Sequence, residues 1–554
     1  MRFPVLPLCA SPDGQPTAAE AKFLRSIQGG ILKGHGRNHQ RLVFFRFPRA
    51  ETPEERRERA VQFLRHSGTR VTSAEQQREQ RERWKEAWPA DPAKGDDLLE
   101  QANRQLFCNL WLTRAGLAVL GLKMDGVTDP PGSFDDGLKT RLGAEIGGDE
   151  MAAPPYSQEG TGGDFHGVLL LAGNQRDLLR DAGRGFFRGT EAGRLEPDEE
   201  ITAWRDRSDP YDTDYLPPRE PFGFADGISE PLFFHDERIP PAAGRPPEPT
   251  AWQWTRIGLD EVFIPAGKFS GGTFVVLLKI EQNVAAFRGH EQAVADWLVA
   301  HHGVNQGASA YLAPAILMGR TRQGYPVGEI FNRLVERAPP AWRTALGSED
   351  PGQRGYALKK LLGQLPAKEA ELREYFPGSR PPGWLPPSPP TWLNEFDFAG
   401  GKDARPPGCP FHAHTRKMNP RAADAVHLRE DDAMRAQPVR RGAAYGAPER
   451  LEKCASPQPA DWPVGGVGLM FIAYMRSLAR QFEAAHTHWA PDISFPLPGG
   501  GADPVLARLG VGQKFAGQSL PPPNEPARVL RRLGGVYLFC PPMSWFGENG
   551  PPSA

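Results

Sequence analysis

Three short segments of the chain combine side chains that could do chemistry together. The histidine segment, residues 409–421, reads Cys-Pro-Phe-His-Ala-His-Thr-Arg-Lys-Met-Asn-Pro-Arg and offers imidazoles beside a cationic stretch. The carboxylate segment, residues 222–231, reads Phe-Gly-Phe-Ala-Asp-Gly-Ile-Ser-Glu-Pro. Its glycines allow the backbone to turn tightly or to approach another group closely. The arginine segment, residues 439–446, reads Val-Arg-Arg-Gly-Ala-Ala-Tyr-Gly and adds two adjacent guanidinium groups.

His414 is the first candidate for a ligand. A neutral imidazole is a strong axial ligand for haem iron, and a single such ligand leaves the opposite face of the haem open for reaction. A surface or capping histidine is the alternative. A second alternative is a zinc site formed by Cys409, His412 and His414, although no fourth ligand follows at short spacing. If the segment is extended, His412 and His414 face the same side, which predicts His412 at the edge of a pocket.

Asp226 and Arg440 are candidates for the opposite side of such a site. A carboxylate can take a proton from one atom of a substrate and return it to another. A guanidinium stays charged at all relevant pH values and can stabilise negative charge on a departing oxygen. The alternatives are a turn-forming aspartate beside glycine for Asp226 and a solvent-facing charge for the arginines.

Together the three segments resemble those of the dye-decolorising peroxidases, a family of haem enzymes. The resemblance implies that His414 is the axial ligand, that Asp226 is the distal acid–base group and that Arg440 is the distal arginine, with Arg441 as the fallback by register. The resemblance runs through most of the chain and is strongest at residues 221–231, 394–421 and 466–489. It implies haem b as the cofactor, and hydrogen peroxide and a small-molecule electron donor as the reaction partners.

The chain departs from the family pattern in each segment. Glu230 stands where glutamine or asparagine is commoner, and His412 stands where a small residue is usual. Ala443 and Ala444 replace the usual Ile-Pro before the tyrosine of the arginine segment.

Further residues complete the predicted haem pocket. Alternation along a strand at 468–473 sends the side chains of Leu469, Phe471 and Ala473 to one face. The resemblance implies that Leu469 and Phe471 lie over the haem. Asp503 could accept the other N–H of the histidine ligand, which would increase the anionic character of the imidazole. A helix N-cap is the alternative role for Asp503. Arg416 and Arg421 could pair with the haem propionates, since contacts between arginine and carboxylate are strong; exposed salt bridges are the alternative.

Composition describes a soluble globular chain. The chain has 554 residues, of which 39% are hydrophobic and 24% charged, and a length of this kind predicts more than one structural unit. The net charge of −1 gives no global reason to expect nucleic acid or a membrane surface as a partner. Five scattered cysteines do not suggest a disulfide framework. We expect a cytoplasmic protein, with export as the alternative.

Two strand–helix openings suggest an internal duplication. The strand-like run 42–47 precedes the helical stretch 52–67, and the run 273–278 precedes the helical stretch 283–302. The resemblance implies an α+β fold of two ferredoxin-like halves, each an antiparallel sheet with flanking helices, with the haem mainly in the C-terminal half.

We place the halves at residues 1–220 and 221–554. The stretch 185–220 is polar and is predicted to be a loop. Residues 335–393, rich in proline, glycine and charge, are predicted to be a peripheral insertion with one short helix at 355–365. A strand at 107–112 and a helix capped by Thr113 are also predicted.

The predicted activity is peroxide-dependent oxidation of dyes, phenolics or other one-electron donors. Two other functions remain open from the sequence. One is a haem-binding or haem-handling protein of the same fold without peroxidase turnover. The other is a zinc-binding structural protein.

Overall fold

This computed structural model describes residues 2–11, 14–87, 104–124, 127, 132–146, 165–202, 218–227, 230–235, 257–369, 371–372, 396, 408–420, 435–523, 528–548 and 550–552. The strands in these stretches are β1 (His39–Arg46), β2 (Phe107–Leu112), β3 (Gly167–Gly173), β4 (Gly193–Thr202), β5 (Thr273–Gln282), β6 (Val439–Arg440), β7 (Ala443–Gly446), β8 (Val467–Met475), β9 (Lys514–Phe515), β10 (Gln518–Ser519) and β11 (Leu530–Cys540).

The α-helices in the same stretches are α1 (Ala18–Ser26), α2 (Pro53–Gly68), α3 (Ala74–Ala87), α4 (Arg114–Val119), α5 (Ser133–Asp136), α6 (Leu138–Ile146), α7 (Arg176–Phe186), α8 (Val284–His302), α9 (Gln306–Met318), α10 (Val327–Arg337), α11 (Pro340–Leu346), α12 (Pro351–Leu362), α13 (His414–Met418) and α14 (Pro448–Cys454). Two π-helical segments, Ala479–Glu483 and Ala485–Trp489, follow β8, and short 3₁₀ turns span Leu259–Glu261, Pro459–Asp461 and Met543–Phe546.

The strand order repeats between the two halves of the chain. In the first half the order is β4–β1–β3–β2, and in the second it is β11–β5–β8 followed by β6 and β7. All neighbouring strands are antiparallel. In each half the first strand therefore lies between the fourth and the third, which is the ferredoxin-like order. Leu112 of β2 pairs with Phe539 of β11 and joins both halves into one nine-stranded sheet, so the predicted α+β fold is confirmed.

The sheet is buried on both faces, which explains the continuous apolar runs of its central strands. Along β1, Val43 and Phe45 enter one hydrophobic cluster, whereas Leu42 and Phe44 enter another on the opposite face. Strands covered on both sides read as unbroken apolar sequence. We call the face that contains Val43 the helix face, because helices α2, α4, α6 and α7 pack their apolar residues there.

Local sequence signals set the starts of several helices as predicted. The hydroxyl of Thr113 accepts a hydrogen bond from the Gly116 amide at the start of α4. The side chain of Asn283 does the same for the Ala286 amide at the start of α8. Both caps satisfy a backbone N–H group that has no partner inside the helix.

The predicted loop at 185–220 is wrong in part, because it contains β4. Strand β4 lies at the edge of the sheet and pairs only with β1. An edge strand needs few apolar side chains and tolerates proline, so Pro197 and its acidic neighbours hide the strand from an apolar pattern.

The predicted peripheral position of residues 335–393 is also wrong for the part that the structure describes. This part contains the end of α10 and all of α11 and α12, rather than one short helix. Leu361, Leu362 and Leu372 are fully buried. They join a cluster with residues of α8, α9 and α10, which we call the helical core, and this cluster also includes Ala413 beside His414.

Candidate active site

His414 begins helix α13 and is held by a carboxylate from far along the chain. Its Nδ1 atom lies 2.9 Å from Oδ2 of Asp503 and 3.2 Å from Oδ1. Asp503 is fully buried, whereas the side chain of His414 keeps 24% of its surface exposed. Because Nδ1 is committed to Asp503, the Nε2 lone pair is the one that His414 can offer to a ligand or metal.

Asp503 contacts His414 and also accepts hydrogen bonds from backbone amides, although the residues after it form a turn rather than the helix that an N-cap would require. Its Oδ1 atom accepts hydrogen bonds from the amides of Val505 at 2.8 Å and Leu506 at 2.7 Å, as a cap does. Burial by itself raises the pKa of Asp503, but the charge and hydrogen bond of His414 and the two amides outweigh it and hold the pKa below its usual value. Asp503 therefore stays ionised and fixed as the acceptor for His414.

Lys417 ties the helix of His414 to the loop of Asp503. Its Nζ atom donates to the carbonyls of Asp492 at 2.6 Å, Phe495 at 2.9 Å and Gly501 at 2.8 Å. The residue is completely buried, and burial lowers the pKa of Lys417 to about 8. These three hydrogen bonds hold the loop against α13. One of the three carbonyls belongs to Gly501, two residues before Asp503.

Arg416 is used inside the histidine segment. It is 1% exposed, donates to the carbonyl of Cys409 and lies with its guanidinium carbon 4.4 Å from the centre of the Phe411 ring. These contacts fold the segment back on itself before α13. The propionate contact of Arg416 stays a prediction, and Arg421 lies outside the described residues.

The predicted place of His412 at a pocket edge is wrong. Residues 411–412 form a turn and His414 starts a helix, so the segment is not extended as the prediction assumed. His412 is fully buried, and burial lowers its pKa to about 3. Among the described residues, no three His, Cys, Asp or Glu side chains come together as a metal site, and Cys409 is a buried thiol.

Strand β8 supplies an apolar wall. Leu469 and Phe471 are partly exposed, whereas Met470 and Ile472 between and beside them are fully buried on the opposite face of the sheet. The predicted alternation is therefore confirmed. Phe471 stacks on Phe482 of the first π-helical segment with ring centres 5.8 Å apart.

His486 connects this wall to the His414 side. Its ring centre lies 4.3 Å from that of Phe482, and its Nδ1 atom lies 3.0 Å from the Phe482 carbonyl oxygen. Burial lowers the pKa of His486 to about 3, and the charges of Arg532 and His414 add to that effect. His486 therefore lies against the Phe482 ring that stacks on Phe471. π-Helical turns are often found at functional sites.

The carboxylate segment is held by a buried glutamate that the sequence did not single out. Glu220 accepts hydrogen bonds from the amides of Phe222 at 3.0 Å and Phe224 at 2.9 Å, and from Nε2 of Gln282 at 2.6 Å. Gly223 has a φ of +97°, which strongly favours glycine. These contacts define the loop that presents Asp226.

Asp226 is partly buried at the end of this loop. Its Oδ1 atom accepts a hydrogen bond from the Gly227 amide at 2.8 Å. Burial and then the negative charge of Glu230 raise the pKa of Asp226 to about 6, against the lowering effects of the Gly227 amide and Arg440. A carboxyl group with such a pKa can both take up and release a proton near neutral pH.

The two arginines of the arginine segment have different surroundings, and Glu230 contacts both. Arg441 is 10% exposed and donates to the carbonyls of Gly30 at 3.0 Å and Ile31 at 2.9 Å. Arg440 is 41% exposed, and its Nε atom lies 3.2 Å from Oε1 of Glu230. Arg441 therefore anchors the segment to the first half of the chain, which favours Arg440 as the arginine that faces a substrate.

The sheet links Arg440 to the apolar wall on β8. Arg440 on β6 pairs with Ala473 of β8, two residues from Phe471. Arg440 thus lies beside the strand that carries the wall, and its charge acts on Asp226.

Sequence reasoning missed Glu220, Lys417 and His486. Only Lys417 carried a usable signal, because it lies one helical turn after His414. Glu220 contacts backbone amides and His486 contacts the Phe482 ring, and the sequence pattern does not reveal these contacts.

The comparisons with known proteins agree with this geometry. No family model matches the chain. The multifunctional dye peroxidase DyP2 of an Amycolatopsis species is 26% identical over 546 residues, which is 96% of each protein. The solved structure of DyP2 superposes with a TM-score of 0.65 at 24% identity, covering 96% of this chain and 97% of that one. The chain is therefore similar over nearly its whole length to the dye-decolorising peroxidases.

A second solved relative is a dye-decolorizing peroxidase in complex with 2,6-dimethoxyphenol, with a TM-score of 0.58 and 20% identity over 94% of this chain and 98% of that one. Dye-decolorising peroxidases are haem enzymes, and the residues present fit that group. An imidazole whose Nδ1 is held by a buried carboxylate suits an axial ligand, and the half-exposed apolar side chains Leu469 and Phe471 suit a porphyrin face. Within the described residues, no helix has the length and apolar character needed to cross a membrane.

Proposed function

We propose that this chain is a haem peroxidase that uses hydrogen peroxide to oxidise dyes, phenolics or other small one-electron donors, with haem b held by His414. The observation that carries the proposal is the contact of 2.9 Å between Nδ1 of His414 and the buried Asp503. It is supported by relatives that are named dye peroxidases and by one relative that was solved with a phenol.

Bound haem would supply the iron that reacts with peroxide and passes oxidising equivalents to a donor. His414 would hold the iron through Nε2. Asp503 would draw on the Nδ1 proton, give the imidazole more anionic character and keep the ring in one orientation. Leu469 and Phe471 would cover the porphyrin on the opposite side and exclude water.

Asp226 and Arg440 would act on the peroxide. The Asp226 carboxylate would take the proton from one oxygen of the peroxide and return it to the other, which leaves as water. The guanidinium of Arg440 would stabilise negative charge on the departing oxygen until that proton arrives. The electrostatic interaction of Arg440 with Asp226 supports a joint action on one peroxide molecule.

Arg416 and Arg421 would pair with the haem propionates. For Arg416 this requires that its guanidinium, which already donates to the Cys409 carbonyl, also donate to a propionate. Arg421, the last residue of the histidine segment, is the second candidate by sequence.

The test uses the haem-loaded full chain. Equimolar hydrogen peroxide is expected to change the haem absorbance within the mixing time or shortly after it, and 2,6-dimethoxyphenol is expected to restore the original spectrum while it is oxidised. Tight haem binding without any peroxide-dependent oxidation above that of free haem would reject the proposal and support a haem-handling role. Failure to bind haem at all would reject both.

A further inference from the structure

The carboxylate of Glu230 accepts hydrogen bonds from both arginines of the arginine segment. Its Oε2 atom accepts from the backbone amide of Arg440 at 3.0 Å and from Nη1 of Arg441 at 3.0 Å. Its Oε1 atom lies 3.2 Å from Nε of Arg440. Glu230 therefore contacts both the backbone and the side chain of Arg440.

Glu230 is itself fixed from outside the site. Arg441 binds Glu230 while it also donates to the carbonyls of Gly30 and Ile31, which belong to the first half of the chain. The side chain of Glu230 is 17% exposed. An acceptor that is anchored in this way holds Arg440 in one place rather than moving with it.

Glu230 also lies close enough to Asp226 for their charges to interact. The charged groups that act on Asp226 are the carboxylates Glu230 and Glu220, which favour its protonated form, and Arg440, which favours its ionised form. Of the two carboxylates, Glu230 has the larger effect. It also partly neutralises Arg440, the cation that opposes that effect.

We propose that Glu230 is a positioning residue that fixes Arg440 and thereby controls the proton transfer by Asp226. The proposal rests on the proposed peroxidase function. A glutamine at position 230 would keep an accepting oxygen for Arg440 but would remove the negative charge. A leucine would remove both the charge and the acceptor. The two variants therefore separate the effect on Asp226 from the effect on Arg440.

The expected result for Glu230→Gln is a shift of the acid limb of the peroxide reaction. Asp226 must be ionised to act as a base, so the rate falls as the pH drops through the pKa of Asp226. Removal of a neighbouring negative charge stabilises the ionised form, so the limb moves to lower pH by roughly one unit, and the rate at high pH changes little. Glu230→Leu moves the limb in the same direction and also lowers the rate at high pH by roughly tenfold or more, because Arg440 loses its acceptor.

A second readout does not depend on activity. The infrared band of the protonated Asp226 carboxyl, assigned by its loss in Asp226→Asn, is followed against pH in the full chain. The band is expected to persist to higher pH in the wild type than in Glu230→Gln. Glu336→Gln, a change at a carboxylate on α10 that is 56% exposed and pairs with Arg333, serves as the control and is expected to leave both readouts unchanged.

The outcomes separate this inference from the proposed function. If the acid limb and the infrared titration of Glu230→Gln both match the wild type, Glu230 does not set the protonation of Asp226 and the inference is rejected. If the wild type does not react with peroxide, the proposed function fails, and the infrared titration still decides whether Glu230 controls Asp226. A loss of rate in Glu230→Gln that is equal at every pH, with an unshifted band, would reduce Glu230 to a structural residue and overturn the inference.

Discussion

The carboxylate of Asp503 serves His414 and its own turn with the same pair of oxygens. Oδ2 lies 2.9 Å from Nδ1 of His414, while Oδ1 accepts from the amides of Val505 and Leu506. Because the two amides orient the carboxylate independently of the imidazole, the acceptor for His414 is in place before any haem binds. The backbone amides thus preorganise the carboxylate that contacts His414.

Replacing Asp503 is expected to weaken the haem site without unfolding the chain. Asp503→Asn removes the negative charge and leaves one oxygen for both His414 and the two amides, so haem affinity should fall roughly 10- to 100-fold and the iron should become easier to reduce. Haem titration by absorbance and a redox titration measure the two effects. Asp296→Asn, at an exposed position on α8 that bonds to Gln292, is the control. Unchanged affinity and potential in Asp503→Asn would show that the contact does not tune the ligand.

The pH dependence of the peroxide reaction should follow Asp226. With its pKa raised to about 6, the base form is present above that pH and is lost below it, so the rate should fall on the acid side with a midpoint near pH 6. Asp226→Asn should retain haem, lose this limb and slow the reaction on the order of 10²–10⁴. Arg440→Leu should retain haem and the limb but also slow the reaction.

Stopped-flow absorbance with equimolar peroxide across pH measures these rates. Arg435→Leu, at a half-exposed arginine that lies near Glu261, is the matched control for the loss of an arginine. Wild-type rates in both Asp226→Asn and Arg440→Leu would remove the two residues from the mechanism.

Lys417 should be essential to the ligand side although it touches no reacting atom. Lys417→Met leaves three buried carbonyls without their ammonium partner, which is expected to cost about 3 kcal/mol of unfolding free energy. The loop that ends in Asp503 should loosen, and haem should dissociate faster. Denaturant unfolding and haem transfer to a stronger acceptor measure these effects. Lys453→Met, at an exposed position on α14, is the control, and equal behaviour of the two variants would contradict the clamp.

We expect the helices after α10 to contribute to the stability of the helical core rather than to be peripheral to it. Leu361 on α12 is fully buried, so Leu361→Ala is expected to cost about 3 kcal/mol of unfolding free energy through the cavity that it leaves. Tyr356 on the same helix is 60% exposed, and Tyr356→Ala should change the free energy of unfolding by about 0.5 kcal/mol or less. Thermal unfolding distinguishes the two. If Leu361→Ala is as stable as Tyr356→Ala, the result would support the prediction that residues 335–393 are a peripheral insertion.

Local signals account for the parts of the fold that the sequence predicted well. The strand at Phe107–Leu112 is apolar except for Asn109, and Thr113 ends it with a hydroxyl that caps the next helix. Leu469 and Phe471 alternate with buried neighbours on β8. Each of these features depends on a few consecutive residues and on the period of a strand or helix.

The errors arose where distant parts of the chain decide the structure. Strand β4 is polar because it lies at an edge, and only its pairing with β1 shows that it is a strand. His412 is buried because the histidine segment turns before α13, which the spacing of two histidines does not reveal. The partner of Glu230 lies 210 positions away, so no local pattern could connect the carboxylate to Arg440.

The most direct test of the account is the haem spectrum of His414→Ala beside that of His412→Leu in the full chain. The account predicts that His414→Ala loses stoichiometric haem with a histidine-ligated spectrum, that added imidazole restores that spectrum, and that His412→Leu keeps it without imidazole. A His414→Ala protein that binds haem with the wild-type spectrum, or a His412→Leu protein that alone loses it, would contradict the assignment of His414 as the ligand on which the whole site is built.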